Sequence, residues 1–141
     1  MKNNEVKTVL AFDYGLSQIG TAIGNRLTGT AQALNTLSAR DGIPRWDEIQ
    51  LLLNEWQPDL LVVGLPLNMD DSESAISQRA RKFGRRLEGR FGLSVEYMDE
   101  RLSSYEAKST LREQGHRGDY KNSPADGLAA ELILQSWLNG E

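Results

Sequence analysis

The chain has 141 residues, with 16 Lys and Arg against 20 Asp and Glu, a net charge of -4. That length predicts one domain over 1–141 that buries roughly 70% of its unfolded surface, enough for a core without covalent staples. Without cysteine and with one histidine, a disulfide scaffold, a thiolate zinc site, a cysteine nucleophile and a multi-histidine metal site are excluded.

No apolar run approaches the roughly 18 residues of a membrane span. Met1 to Lys7 is polar and lacks the apolar core of a signal peptide. The expected compartment is the cytoplasm, with no membrane partner. The acidic balance argues mildly against a simple nucleic-acid coat, which usually carries a basic excess.

Val6 to Phe12 is a run of bulky and β-branched residues ending at Asp13. Tyr14-Gly15 supplies a turn, and Ile19 to Ile23 completes a predicted hairpin. Thr30 to Leu37 reads as a weaker third strand, followed by a break at Asp41-Gly42. Trp46, Ile49, Leu52, Leu53 and Trp56 recur at helical spacing until Pro58. Leu60 to Val63, bounded by Asp59 and Gly64, has the pattern of a strand buried on both faces.

Leu65 to Asp71 reads as a loop, and Ser72 to Phe91 as a second helix with Ile76, Ala80, Phe83, Leu87 and Phe91 on one face. Leu93 to Met98 is another strand. Ser103 with Glu106 forms a capping box for a third helix, and Gly115 to Asn122 reads as a mobile loop. Ser123-Pro124 opens a last helix whose apolar residues are Leu128, Leu132, Ile133 and Trp137. The order is βββαβαβαα, which predicts an α/β fold with a mixed five-stranded sheet flanked by helices.

Three acids stand near element ends: Asp13, Glu100 beside Asp99, and Asp126. In open α/β sheets, sites collect beyond the carboxyl ends of strands. Asp13 and Glu100 would meet there if their strands were neighbours. A carboxylate cluster without His or Cys suits hard cations such as Mg2+ or Mn2+. Two such ions can clamp an in-line attack on a phosphodiester. Plainer readings stand beside this one. Asp13 precedes a glycine turn, Asp126 would favour a helix N-terminus, and Glu100 adjoins Arg101.

The same residues carry a family pattern. Asp13-Tyr14-Gly15 with Ile19-Gly20-Thr21-Ala22, and Val63-Gly64-Leu65-Pro66-Leu67-Asn68-Met69-Asp70, are two of its blocks. Asp99-Glu100-Arg101-Leu102-Ser103-Ser104 with Glu106-Ala107, and Asp126 with Ala129-Ala130 and Ile133-Leu134-Gln135, are the other two. In this order they resemble the YqgF family of small bacterial proteins.

That resemblance implies a ribonuclease-H-like fold. It further implies a divalent-metal nuclease, assigned either to 5′-end maturation of pre-16S ribosomal RNA or to Holliday-junction resolution. Asp13, Glu100 and Asp126 would then be the catalytic and metal-binding residues. Asp13 would bridge two Mg2+ or Mn2+ ions, held weakly without substrate. The chain departs from the family pattern at Ser17-Gln18, Asp71 and Ser123-Pro124-Ala125, positions that bear on local phosphate contacts and leave the acids intact.

Arg79, Arg81, Lys82, Arg85, Arg86 and Arg90 fall within twelve residues that contain one acid, Glu88. This segment carries +5, so the rest of the chain carries -9. On a helix, Arg79, Lys82, Arg86 and Arg90 form one flank, while Arg81 and Arg85 face away. The flank suits a phosphate backbone, or it is a solvated face. Arg101, Asn68 and Lys121 are further candidates for nucleic-acid contact, and His116 and Arg117 share the loop of Lys121. Trp46, Trp56 and Trp137 read as packing residues.

The leading expectation is a metal-dependent nuclease acting on pre-ribosomal RNA, with ribosomal particles as a larger partner and a monomer or homodimer as the assembly. The alternatives are a junction resolvase acting on branched DNA and a non-catalytic RNA-binding assembly factor. An actin-like ATPase would need a second lobe that this length cannot supply.

Overall fold

A computed structural model describes residues 7–65, 74–99 and 125–140, with the side chains of 125–127 outside the description. The strands are β1 (Thr8–Asp13), β2 (Gln18–Asn25), β3 (Thr30–Ala33), β4 (Leu37–Arg40), β5 (Ile43–Pro44), β6 (Leu60–Leu65) and β7 (Val95–Asp99). The helices are α1 (Trp46–Trp56), α2 (Ala75–Phe91) and α3 (Ala125–Gly140). The capping box at Ser103 and the loop of 115–122 lie outside the described residues. None of the described helices is long and apolar enough to cross a membrane.

The strands run β5-β4-β2-β1-β6-β7, with β3 also paired to β2. β1 is antiparallel to β2 and parallel to β6, and β7 is parallel to β6. The predicted hairpin, the third strand and the two later parallel strands make five strands of this mixed sheet. β4 and β5 extend it. The predicted strand over Thr30 to Leu37 is β3 alone and ends at Ala33; the chain then turns and β4 begins at Leu37. Leu34 N–H donates to Thr21 O at 2.8 Å, and the Thr21 hydroxyl donates to Asn35 O at 2.6 Å.

Alternation along β1 sorts the core into two layers. Leu10 and Phe12 join Leu61, Val63 and Leu65 under α1 and α2. Val9 and Ala11 join Leu60 and Val62 under α3. Strand β6 is buried along its whole length, as a parallel strand covered on both faces must be.

Helix α1 ends at Gln57, a left-handed residue whose N–H donates to Leu53 O, just before Pro58. Helix α2 starts three residues later than its apolar pattern suggests. Ser74 is its N-cap and accepts from Ser77 N–H, and Gly92 closes it in the left-handed conformation. In α3 the buried residues are Ala130, Ile133, Leu134 and Trp137, while Leu132 is only partly buried.

Glycine sets two close approaches. On β2, Gly20, Ala22 and Gly24 occupy the α3 face, and a Cβ at Gly24 would lie 2.8 Å from Leu134 Cδ2. On α2, a Cβ at Gly84 would lie 2.5 Å from the Tyr97 hydroxyl and 2.9 Å from its Cε1. An aromatic ring yields less readily than a leucine methyl. Gly84→Ala is therefore expected to destabilise the fold by about 1–3 kcal/mol through overpacking, despite a helix-propensity gain of about 1 kcal/mol. Urea unfolding should give a smaller cost in a Tyr97→Phe background; an equal cost would place the strain elsewhere.

Candidate active site

Asp13 is the last residue of β1 and pairs with Gly20 on β2. Ala11 packs in the α3 layer, while Phe12 and Tyr14 pack in the other. The pleat therefore directs Asp13 to the α3 face. One step beyond the Phe12–Val63 pair, the parallel register sets Asp13 beside Gly64. The partly buried Asp13 thus has a buried glycine beside it on each neighbouring strand.

Helix α3 reaches the same level. Glu131 Oε1 accepts from Ala33 N–H at 2.9 Å, and Gln135 Oε1 accepts from Ala31 N–H at 3.2 Å. Ala33 and Ala31 pair with Ala22 and Gly24. Four helical residues rise about 6 Å, and two strand residues about 6.7 Å, so helix and strand advance together. One further helical turn brings the backbone at Asp126 and Gly127 level with Gly20 and Asp13.

The neighbour relation expected for the last acid is different. Strand β6 separates β1 from β7, so Asp13 and the end of β7 stand two strand spacings apart, about 9.5 Å. Met98 packs in the α3 layer and Tyr97 in the other, which turns Asp99 away from the Asp13 face. Glu100, Arg101, Asn68, Lys121, His116 and Arg117 lie outside the described residues, as does the side chain of Asp126. Among the described residues no group of three potential metal ligands gathers.

The basic flank of α2 faces the β4–β5 hairpin. Arg79, Lys82 and Arg86 line a cavity of about 90 Å³ together with Tyr14, Trp46 and Phe83. Arg79 donates to Asp41 Oδ1 at 3.2 Å and to Asp41 O at 2.6 Å. Arg90 lies over the Trp46 ring, 4.3 Å from its centroid. Arg81 lies over Tyr97 at 5.2 Å, on the other side of the helix. Trp46 and Trp56 pack against the α1–α2 core, and Trp137 is buried with its indole N–H donating to Glu96.

The sequence places Tyr14 only in a turn; the structure gives it a packing and hydrogen-bonding role. Its ring is 7% exposed, and its hydroxyl donates to Gly42 O at 3.0 Å. Gly42 has φ +79°, and a Cβ there would collide with that hydroxyl. The signal was present in part: a lone tyrosine after an acid, and Asp41-Gly42 at a break.

Burial pushes the Tyr14 phenol above its ordinary value, Asp41 adds to the rise, and Arg79 and Arg86 oppose it. Burial, then Glu88, raises Tyr97 in the same direction. A raised folded pKa means the folded state holds its proton longer than the unfolded chain. This stabilising contribution is complete below the unfolded value of about 10 and declines as pH rises toward the folded value. Urea titrations should therefore show stability falling above about pH 10, with a shallower fall in Tyr14→Phe/Tyr97→Phe. An unchanged slope in that variant would assign the loss to other groups.

The chain matches the family described as "RuvX: Holliday junction resolvase" over residues 7–140. A relative from Saccharophagus degradans is 55% identical over 131 residues, 93% of this chain and 92% of its own. One from Chromohalobacter salexigens is 60% identical over 132 residues, 94% of this chain and 89% of its own. Both carry the name "Putative pre-16S rRNA nuclease". Among solved structures, Thermus thermophilus RuvC bound to a Holliday junction is similar with TM-score 0.56 and 14% identity, covering 95% of this chain and 94% of that one. The fowlpox virus resolvase bound to junction DNA is similar with TM-score 0.54 and 14% identity, covering 94% and 97%. These two likenesses show the fold, a ribonuclease-H-like sheet with flanking helices. On the family match and the two close relatives together, the chain belongs to the RuvX family, the YqgF family that its four sequence blocks resemble.

Proposed function

We propose that this protein is a divalent-metal-dependent nuclease that processes the 5′ end of pre-16S ribosomal RNA in the cytoplasm. The observation that carries the reading is the shared level of Asp13 and the first turn of α3 at the carboxyl end of β1. The relatives' name supplies the substrate class.

The donor set fits a hard cation, since Asp13, Glu100 and Asp126 offer only carboxylate oxygens. Asp13, Glu100 and Asp126 would hold Mg2+ or Mn2+, as one ion or two. Asp99, the last residue of β7, is turned away from the Asp13 face, which favours a different acid as the partner of Asp13. When bound, the metal supplies positive charge at the phosphate and an acidified water. The chain's own part would be to supply the carboxylates and to draw in a polyanion along α2. In hydrolysis a water oxygen bonds to phosphorus and one bridging P–O bond breaks. The products are one phosphate end and one hydroxyl end.

Asp13→Asn keeps the size of the side chain and removes its charge. Cleavage of a pre-16S substrate with magnesium should fall by at least about a hundredfold, equivalent to about 2.7 kcal/mol, while the unfolding midpoint stays close to wild type. Equal cleavage by the two proteins would sink this reading.

The family's description favours a second substrate, a four-way DNA junction. Symmetric incision of a junction requires paired sites, hence a stable dimer. Sedimentation with and without junction DNA tests it: a monomer in both conditions counts against resolution and leaves the RNA reading in place.

A further inference from the structure

We propose that the cleft between α2 and the β4–β5 hairpin binds a backbone phosphate of the nucleic-acid substrate, on the face of the sheet opposite Asp13. The proposal rests on the nuclease reading for its substrate and on independent geometry for its site.

The cavity has a volume of about 90 Å³. A cleft lined by Lys82, Arg86 and aromatic rings offers a phosphate group both charge and a firm floor. Its base is rigid, because Tyr14 and Trp46 both pack on the Phe83 ring, with centroids 5.1 and 5.9 Å away. One wall is locked by hydrogen bonds. Arg79 bridges to the side chain and carbonyl of Asp41, and Tyr14 holds the carbonyl of Gly42.

Charge decides what the cleft accepts. Asp41 offsets Arg79 through their 3.2 Å ion pair. Lys82 and Arg86 follow one and two turns later, both exposed, and neither has a carboxylate partner among the described residues. Among the described residues the cleft therefore keeps two cations without a carboxylate partner above an aromatic base. Ile43 forms a wall shared with the adjoining hollow, which Arg40 and Arg45 line. A row of cations thus leads away from the cleft along the hairpin. A lone phosphate ion would need one pocket; a row suits a chain of phosphates.

Position relates the cleft to the candidate site. Asp13 and Tyr14 are consecutive, and their side chains take opposite faces of the sheet. A nucleic-acid strand crossing the end of β1 meets the carboxylate on one side and the cleft on the other. The cleft would hold a phosphate away from the bond being cut and so fix the register of the substrate.

The test uses full-length Asp13→Asn in EDTA, with a fluorescein-labelled pre-16S RNA hairpin read by anisotropy across a salt titration. Lys82→Gln and Arg86→Gln are introduced singly, and Arg85→Gln, an exposed cation outside the cleft, matches their charge change. Each cleft variant should weaken binding by about tenfold. Each should also flatten the log–log salt slope by about 0.7 for a single strand or about 0.9 for a duplex contact. Arg85→Gln should change binding by less than about twofold. Equal losses for Arg85→Gln and Arg86→Gln, or no loss for either, would overturn the cleft. A titration with inorganic phosphate separates the sources. Phosphate binding that Arg86→Gln abolishes, with RNA affinity unchanged, would mean a free-ion site and also overturn the proposal. Magnesium-dependent cleavage by the wild type, run alongside, reports on the nuclease reading separately. Discrimination between Arg86 and Arg85 without any cleavage would keep the cleft and remove the nuclease.

Discussion

Water is excluded from both faces of the β1–β6 pair, and the rest of the molecule is arranged around that constraint. Val9, Leu10, Ala11 and Phe12 are fully buried, as are Leu61, Val62 and Val63 across the ladder. A large apolar side chain buried in this way contributes about 1.5–3 kcal/mol. A slip of one residue would exchange every one of them between the two layers. Leu10 and Phe12 would then meet the closely approaching α3 in place of Val9 and Ala11. The register is therefore held by many side chains at once. Asp13 and Tyr14 inherit their faces from it.

The second layer is set by how closely α3 can approach. Gly20, Ala22 and Gly24 present almost no side chain to it, so the helix settles against the backbone of β2. Strand β3 then lies within reach of Glu131 and Gln135, which take up the N–H groups of Ala33 and Ala31. An otherwise open sheet edge is closed by helix side chains. The same contacts fix the axial position of α3, and with it the height of Asp126. The level of an acid on a helix is thus decided by three small residues on a strand.

Much of this was legible where the local pattern was strong. Helix α1 occupies the span its apolar spacing marks, and β6 is buried throughout, as its unbroken apolar run requires. The alternate small residues of β2 stood in the sequence as well, although their meaning needs the helix that covers them. Strands β4 and β5 were not legible. They are four and two residues long and alternate in exposure without a bulky apolar face. Their turn depends on Asp41 at φ 51° followed by Gly42 at φ 79°, a conformation that an Asp-Gly pair permits without demanding. The place of β6 between β1 and β7 is a property of parallel crossovers, which no local spacing encodes. Nor could spacing show that Arg79, one of the basic flank, is paired with an acid 38 positions earlier.

The charge distribution follows from the same geometry. A chain of net charge -4 keeps a +5 segment because the sheet separates that segment from the acid at the end of β1. Were Lys82 and Arg86 on the Asp13 face, carboxylate and cations would compensate each other within a screening length of about 8 Å. Consecutive residues on opposite faces prevent this. Asp13 belongs to the side covered by α3, and Tyr14 turns toward the cations of α2. The interior between them is apolar and weakly screening, yet the direct route through it is closed to contact pairing. A polyanion can meet the cations without their first being neutralised by the acid. An overall negative chain is therefore compatible with a phosphate-bearing partner on the α2 side.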